Sequence, residues 1–290
     1  MGRVFSLGQR AAAVLLTCGL ALGVAACSDD DDNGNGNGTV GPDASPNLPS
    51  FDRVKFVLDS VQALADIPPG TFTNLDANGG FGLDMWATVV DRSGIVRVVA
   101  FSGTNEGDQW PASRVISAQK ANTANSLSLN GLALSTANLY SAVQPGGSLF
   151  GLQESNPVNT DAAYGGNAED YGTTSDYMLG KRIGGVNVFG GGLALYDATG
   201  AVIGAIGLSG DSSCADHVIA WRVRHALALD YVPGGVDPAS GTDNIVFDID
   251  GGGVSASGWG HPLCPPDPAA VESIGNGLPT TDPVRPPPAT

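Results

Sequence analysis

The chain has 290 residues, 42% of them hydrophobic and 7% aromatic; that length could hold two small domains, but both ends read as unstructured, which favours one domain of a little over roughly 200 residues, ample for a proper core. Its 13 Lys and Arg against 29 Asp and Glu give a formal net charge of −16. That balance makes nucleic acid and anionic lipid headgroups poor partners and leaves cationic or neutral ligands as better ones.

Residues 1–26 read as a secretory leader, because Arg3 and Arg10 precede an apolar run over 11–26 that is too short to span a bilayer stably. The run ends in Val24-Ala25-Ala26-Cys27, which resembles a bacterial lipobox, where small residues admit the peptidase and Cys27 receives the lipid. An ordinary secretory signal cut after Ala26 is the alternative. By the same resemblance Ser28, rather than Asp, implies an outer-membrane lipoprotein, extracytoplasmic on the periplasmic or surface face. Its membrane contact would be the anchor alone. Residues 27–50 combine an aspartate run with Asn-Gly repeats and lack the apolar content to order, so they predict a flexible acidic, glycine-rich tether.

Beyond residue 50 the pattern becomes periodic. Val54, Val57, Leu58, Val61, Leu64 and Ala65 recur at helical spacing and predict an amphipathic helix over 51–66, ended by Pro68 and Pro69. Two β-branched runs, 85–91 and 95–101, flank Arg92-Ser93-Gly94 and predict a hairpin. Residues 111–127 have few breakers and align Val115, Ala118, Ala121 and Ala124 or Asn125, a helix whose small residues permit close packing. Lys120 on it can snorkel or pair with a carboxylate. Residues 131–185, rich in Ser, Asn, Gly and Asp, read as an insertion of loops and short helices. A second hairpin spans 186–208 and turns at Asp197-Ala-Thr-Gly200; a helix follows over 214–229, with Ser213 as N-cap and Asp216 near the helix N-terminus. A C-terminal extension over 230–265 carries one more strand candidate at 244–249, and 266–290 reads as a loose proline-rich tail. Two hairpins and at least three helices imply an α+β domain, an antiparallel sheet covered by helices.

His217, Trp221, Arg224 and His225 share one face of the last helix by their spacing. That face offers an imidazole, an aromatic wall and a cation for a propionate, a set suited to heme; the alternative is that it packs Trp221 in the core while the histidines cap or hydrogen-bond. With Cys18 lost in the leader and Cys27 acylated, Cys214 and Cys264 remain, and a pair in an oxidising compartment suggests one disulfide, two free buried thiols being the alternative. The link would bring His261 towards the same helix and complete the candidate cofactor-binding set His217, Trp221, Arg224, His225 and His261. No Cys-x-x-Cys-His run is present, which excludes covalent c-type heme. Asp211 follows Gly207-Leu-Ser-Gly210 where a nucleophile elbow needs Gly, and three histidines over two segments argue against a structural zinc. No catalytic residue and no metal are assigned, and the chain reads as more a binder than an enzyme.

Four motifs in order resemble the GlcG/HbpS-like heme-binding proteins: Val89-Val90-Asp91-Arg92-Ser93-Gly94, the Ala-x-Lys-Ala-x-Thr-Ala run from Ala118 to Ala124, Gly191-Gly192-Leu193-Ala194, and Gly204-Ala205-Ile206-Gly207-Leu208-Ser209-Gly210 with Asp216 opening the last helix. Ala194 stands where the family usually has Pro, and the C-terminal extension is absent from compact members. The resemblance implies a profilin- or PAS-like form of the α+β fold over 51–265, with heme as cofactor and partner and a role in capturing or buffering it. It leaves two alternatives, a heme-degrading or redox accessory factor and a non-catalytic sensory or protein-interaction module. It also implies homo-oligomers, against which the insertion and extension stand. No family histidine motif is matched residue by residue, so the resemblance does not name the axial ligand.

Overall fold

The first helix, α1 (Phe51–Gln62), starts where the Ser50 hydroxyl accepts the Arg53 N–H, and buries Val54, Val57, Leu58 and Val61 along one side. The computed structural model describes residues 47–63 and 78–279, which belong to the unit Val40–Thr290. The leader, Cys27, the tether before residue 47 and the predicted end of α1 beyond 63 lie outside the described residues.

Four antiparallel strands form one sheet in the order β2-β1-β4-β3: β1 (Trp86–Asp91), β2 (Val96–Phe101), β3 (Gly192–Tyr196) and β4 (Val202–Ser209). Asp91 closes the first turn, its Oδ1 accepting the N–H groups of Ser93 and Ile95 at 2.8 and 3.0 Å while Gly94 takes φ +77°. The period of two along each strand divides the core. Ala87, Val89, Ile206 and Leu208 face α1 and α4 (Ser213–Ala226), whereas Trp86, Val90 and Ala205 face α2 (Ser113–Leu127). Ala118, Ala121 and Ala124 of α2 lie against the sheet, and at Gly207 a Cβ would collide with the Ser117 carbonyl. Small residues on both sides therefore set the close approach of α2 to β4. The result is the expected α+β arrangement, with the sheet between α2 on one side and α1 with α4 on the other.

The insertion is loops, single helical turns and the short α3 (Thr160–Tyr164). It is held to α2 by Arg114, whose guanidinium bonds Asp176 and stacks 3.6 Å from the Tyr171 ring. Three expectations need correction. The second hairpin is narrower than 186–208, because Asn187 to Gly190 are spent on bonds to side chains of Thr123, Asn187 and Ser213 rather than on a ladder. Residues 244–249 make no strand; the Asn244 side chain and Ile245 N–H are bonded elsewhere, and only Ile249 bridges, to Ser255. The stretch 266–279 is not a loose tail: Asp267 caps α5 (Pro268–Asn276), which buries Val271 and Ile274. Residues 280–290 lie outside the described residues. Among the described residues, no helix is long and apolar enough to cross a membrane.

Candidate functional site

Helix α4 begins one residue earlier than its sequence suggests. Ser212, not Ser213, is the N-cap, its hydroxyl accepting the Ala215 N–H at 3.3 Å. That releases the Ser213 hydroxyl, which accepts the Gly190 N–H at 2.7 Å and lies 2.7 Å from His261 Nε2. On the other side of the ring, Nδ1 is 2.7 Å from the Pro262 carbonyl. A carbonyl only accepts, so the network assigns the proton to Nδ1, and Ser213 donates to Nε2. Burial pushes His261 down to about 4, which keeps the imidazole neutral at physiological pH.

The extension is pinned where it carries His261. Its N–H donates to the Val246 carbonyl at 2.8 Å, the Ser141 hydroxyl donates to the Gly260 carbonyl at 2.6 Å, and a disulfide joins Cys264 to Cys214 on α4. At Gly260 a Cβ would displace the Asp248 carboxylate that organises the preceding loop through Ser255 and Ser257.

These elements enclose one side of a cavity of about 740 Å³, within the range of small-molecule and cofactor sites. Ile116, Phe189, Pro262, Leu263 and Pro265 give it apolar walls, and the Tyr140 ring lies 5.3 Å from His261. Phe81 and Trp110 meet edge to face at 6.4 Å and, like Phe189 and Leu263, are substantially exposed. Lys120 and Asp216 line the same cavity as an ion pair at 2.6 Å, both buried; Lys120 also donates to the Leu208 carbonyl, and Asp216 accepts the Asp211 N–H. Burial dominates at both groups, pushing Lys120 down and Asp216 up to about 6, while their mutual attraction opposes it. The Asp211 carboxylate accepts the N–H groups of Phe81 and Leu83 and so holds that aromatic edge of the cavity in place.

Of the predicted set, only His261 lines this cavity. His217 is fully buried, its Nε2 accepting the Ile245 N–H at 3.2 Å. Trp221 is in the core and donates its indole N–H to the Pro279 carbonyl at 2.8 Å. Arg224 is fully buried in a two-pronged pair with Asp243 at 2.7 and 2.8 Å. His225 is half exposed and sits 2.6 Å from Asp230. The expectation of a heme face on this helix is therefore corrected: the spacing is right, but His217, Trp221 and Arg224 are covered and bonded by residues 243–245 of the extension and by Pro279, and His225 is turned to Asp230. Thr123, within the Ala118 to Ala124 run, accepts the Asn187 N–H and donates to the Gln119 carbonyl, a structural hydroxyl.

Sequence reasoning missed Ser213 as a partner of His261, and gave Lys120 and Asp216 as separate residues rather than one pair in a cavity wall. Their signal was the motif spacing. Phe81, Trp110 and Phe189 are isolated aromatics in irregular segments and carried none.

The buried histidines give stability a pH dependence. His217 is pushed down to about 3 and His261 to about 4 by burial, so below about 6.5 the unfolded chain binds protons that the folded one does not. Stability is present above that value and is lost as pH falls, each group contributing up to about 1.4 kcal/mol per pH unit. Asp216, raised to about 6, acts in the opposite sense between there and 3.8 and offsets one of the two. Urea unfolding between pH 7 and pH 4 should thus show falling stability, and His217→Gln should flatten the fall; an unchanged slope would contradict it.

The geometry can be set beside known proteins. A comparison with curated proteins finds no match. Solved structures similar over part of this chain include the following two. A Klebsiella pneumoniae protein, ORFY, shares 23% identity, covering 61% of this chain and 86% of its own at TM-score 0.38. The PduOC:heme complex shares 24%, covering 62% of this chain and 94% of its own at TM-score 0.39. A family model described as "Haem degrading protein HbpS-like" matches residues 73–224, just over half of the sequence, and spans the sheet, α2 and most of α4. The chain belongs to the HbpS-like family.

Proposed function

We propose that this chain binds heme in the cavity beside α4, with His261 as the axial ligand, and serves to capture or buffer it. The observation that carries the reading is the His261 imidazole in the wall of an apolar cavity of about 740 Å³, neutral and oriented by its Nδ1–H bond to the Pro262 carbonyl. A metal-ligating histidine characteristically gives its second N–H to such an acceptor. Nε2 becomes available when the Ser213 hydroxyl turns away, and Ser213 keeps the Gly190 N–H. The donor set fits heme: one neutral imidazole, aromatic rings at the rim and apolar walls, with Lys120 already engaged by Asp216. When bound, heme would supply an iron centre for ligand or electron chemistry. The chain's own residues hold the imidazole proton at Nδ1 and orient the ring. The leader, Cys27 and the tether support an extracytoplasmic, lipid-anchored setting for this capture.

Hemin titration of the purified chain should give a saturable Soret shift at micromolar hemin, and His261→Ala should weaken binding by at least about tenfold, roughly 1.4 kcal/mol. His225→Ala should leave it unchanged. The family description favours a second reading, heme degradation. Peroxide added to the same complex would then release iron faster than from free hemin; no difference in rate would leave binding alone.

A further inference from the structure

We propose that reduction of the Cys214–Cys264 disulfide opens a binding site for one zinc-like divalent ion, held by the two thiolates and His261 Nδ1. The two sulfurs and a ring nitrogen of His261 all lie within 4.8 Å of one another, all three residues are buried, and Cys214 Sγ is 3.9 Å from Nδ1. A tetrahedral zinc with Zn–S of about 2.3 Å spaces its sulfurs about 3.8 Å apart, so the freed sulfurs must move apart and the Pro262 carbonyl, 2.7 Å from Nδ1, must yield that nitrogen to the ion. Thiolate with imidazole selects Zn²⁺ and related soft ions over Mg²⁺ or Ca²⁺. The histidine count argued against zinc; the two cysteines supply the ligands that it lacks.

The surroundings suit a metal in two further ways. Ser213 Oγ, 2.7 Å from Nε2, can accept as well as donate, so the ring proton can move from Nδ1 to Nε2 and remain hydrogen-bonded while Nδ1 binds the ion. Cys264 and His261 both line the cavity, which leaves the fourth position to water or a ligand entering there, the open arrangement of three-ligand zinc centres. The chemistry balances with an external thiol reductant. Two thiols become their disulfide as the Cys214–Cys264 bond is reduced to two thiols, and the divalent ion then displaces both thiol protons. This site does not rest on heme binding. It uses the opposite ring nitrogen and tautomer, so the two ligands exclude each other.

The test is Co²⁺ titration of the full chain after phosphine reduction and anaerobic removal of the reductant, without heme. The reduced chain should develop thiolate-to-cobalt and tetrahedral absorption bands saturating at one ion per chain and abolished by Zn²⁺, while the oxidised chain shows none. Cys264→Ser should remove the thiolate bands, and Ser213→Ala should weaken binding by about tenfold. Zn²⁺ should raise the Tm of the reduced chain but not of the oxidised one. Bands that survive in Cys214→Ser/Cys264→Ser overturn the site, as does a reduced chain, folded or unfolded, that gives no bands and gains no stability or structure from Zn²⁺.

Discussion

Asp243→Ala should lower the unfolding free energy by about 3–5 kcal/mol while leaving hemin affinity of the folded protein unchanged. Asp243 and Arg224 are both fully buried, and the guanidinium bonds the carboxylate through two nitrogens. Removing the carboxylate strands a cation in the protein interior, where, among the described residues, the Ala194 carbonyl at 3.1 Å and the Trp221 ring at 4.6 Å remain to it. The cost is that of an unpaired buried charge, not the net worth of the pair. Removing both charges tests the distinction: Arg224→Met with Asp243→Leu should recover most of the loss. Urea unfolding of the three variants measures it. If Asp243→Ala were nearly neutral for stability, or weakened hemin binding in the folded chain, Arg224 would have a role other than this pair.

The second large effect belongs to the disulfide. Cys214→Ser with Cys264→Ser should cost about 4 kcal/mol in the chain-entropy model, since the bond closes a loop with sequence separation 50. The loop contains His261, so the loss should not be confined to stability. The imidazole is positioned by Pro262, two residues from Cys264, and by Ser213, next to Cys214. Without the link, hemin affinity should fall as well, by less than in His261→Ala because the Val246 and Ser141 bonds to the segment persist. Thermal unfolding and hemin titration of one preparation read both. A double variant as stable as the parent would mean that the extension is held by packing alone.

The sequence was most legible where one physical rule governs a whole element. The β-branched runs at 85–91 and 95–101, with Arg92-Ser93-Gly94 between them, specify the first hairpin with its turn. Alanines at helical spacing on α2 anticipate its close approach to the sheet, and two remaining cysteines anticipate the disulfide. The site was less legible because it depends on contacts between segments far apart in the chain. Lys120 and Asp216 are 96 residues apart, and Ser213 and His261 are 48 apart. The face built from His217, Trp221 and Arg224 shows the limit of spacing. Helical periodicity tells which residues share a side, but not that Asn244, Asp243 and Pro279 cover it. The capping error was smaller but consequential: two adjacent serines compete for one role, and the one left over partners the imidazole. The proline-rich end misled in a similar way, since Pro268 at the first turn of α5 favours that helix rather than breaking it.

The most direct measurement of heme binding at His261 is hemin titration of the purified chain beside His261→Ala, with circular dichroism to establish that both are folded. A saturable Soret shift in the parent that is lost or weakened by at least about tenfold in the variant is the predicted result. No shift in the parent, or the same spectrum and affinity in both, would contradict it.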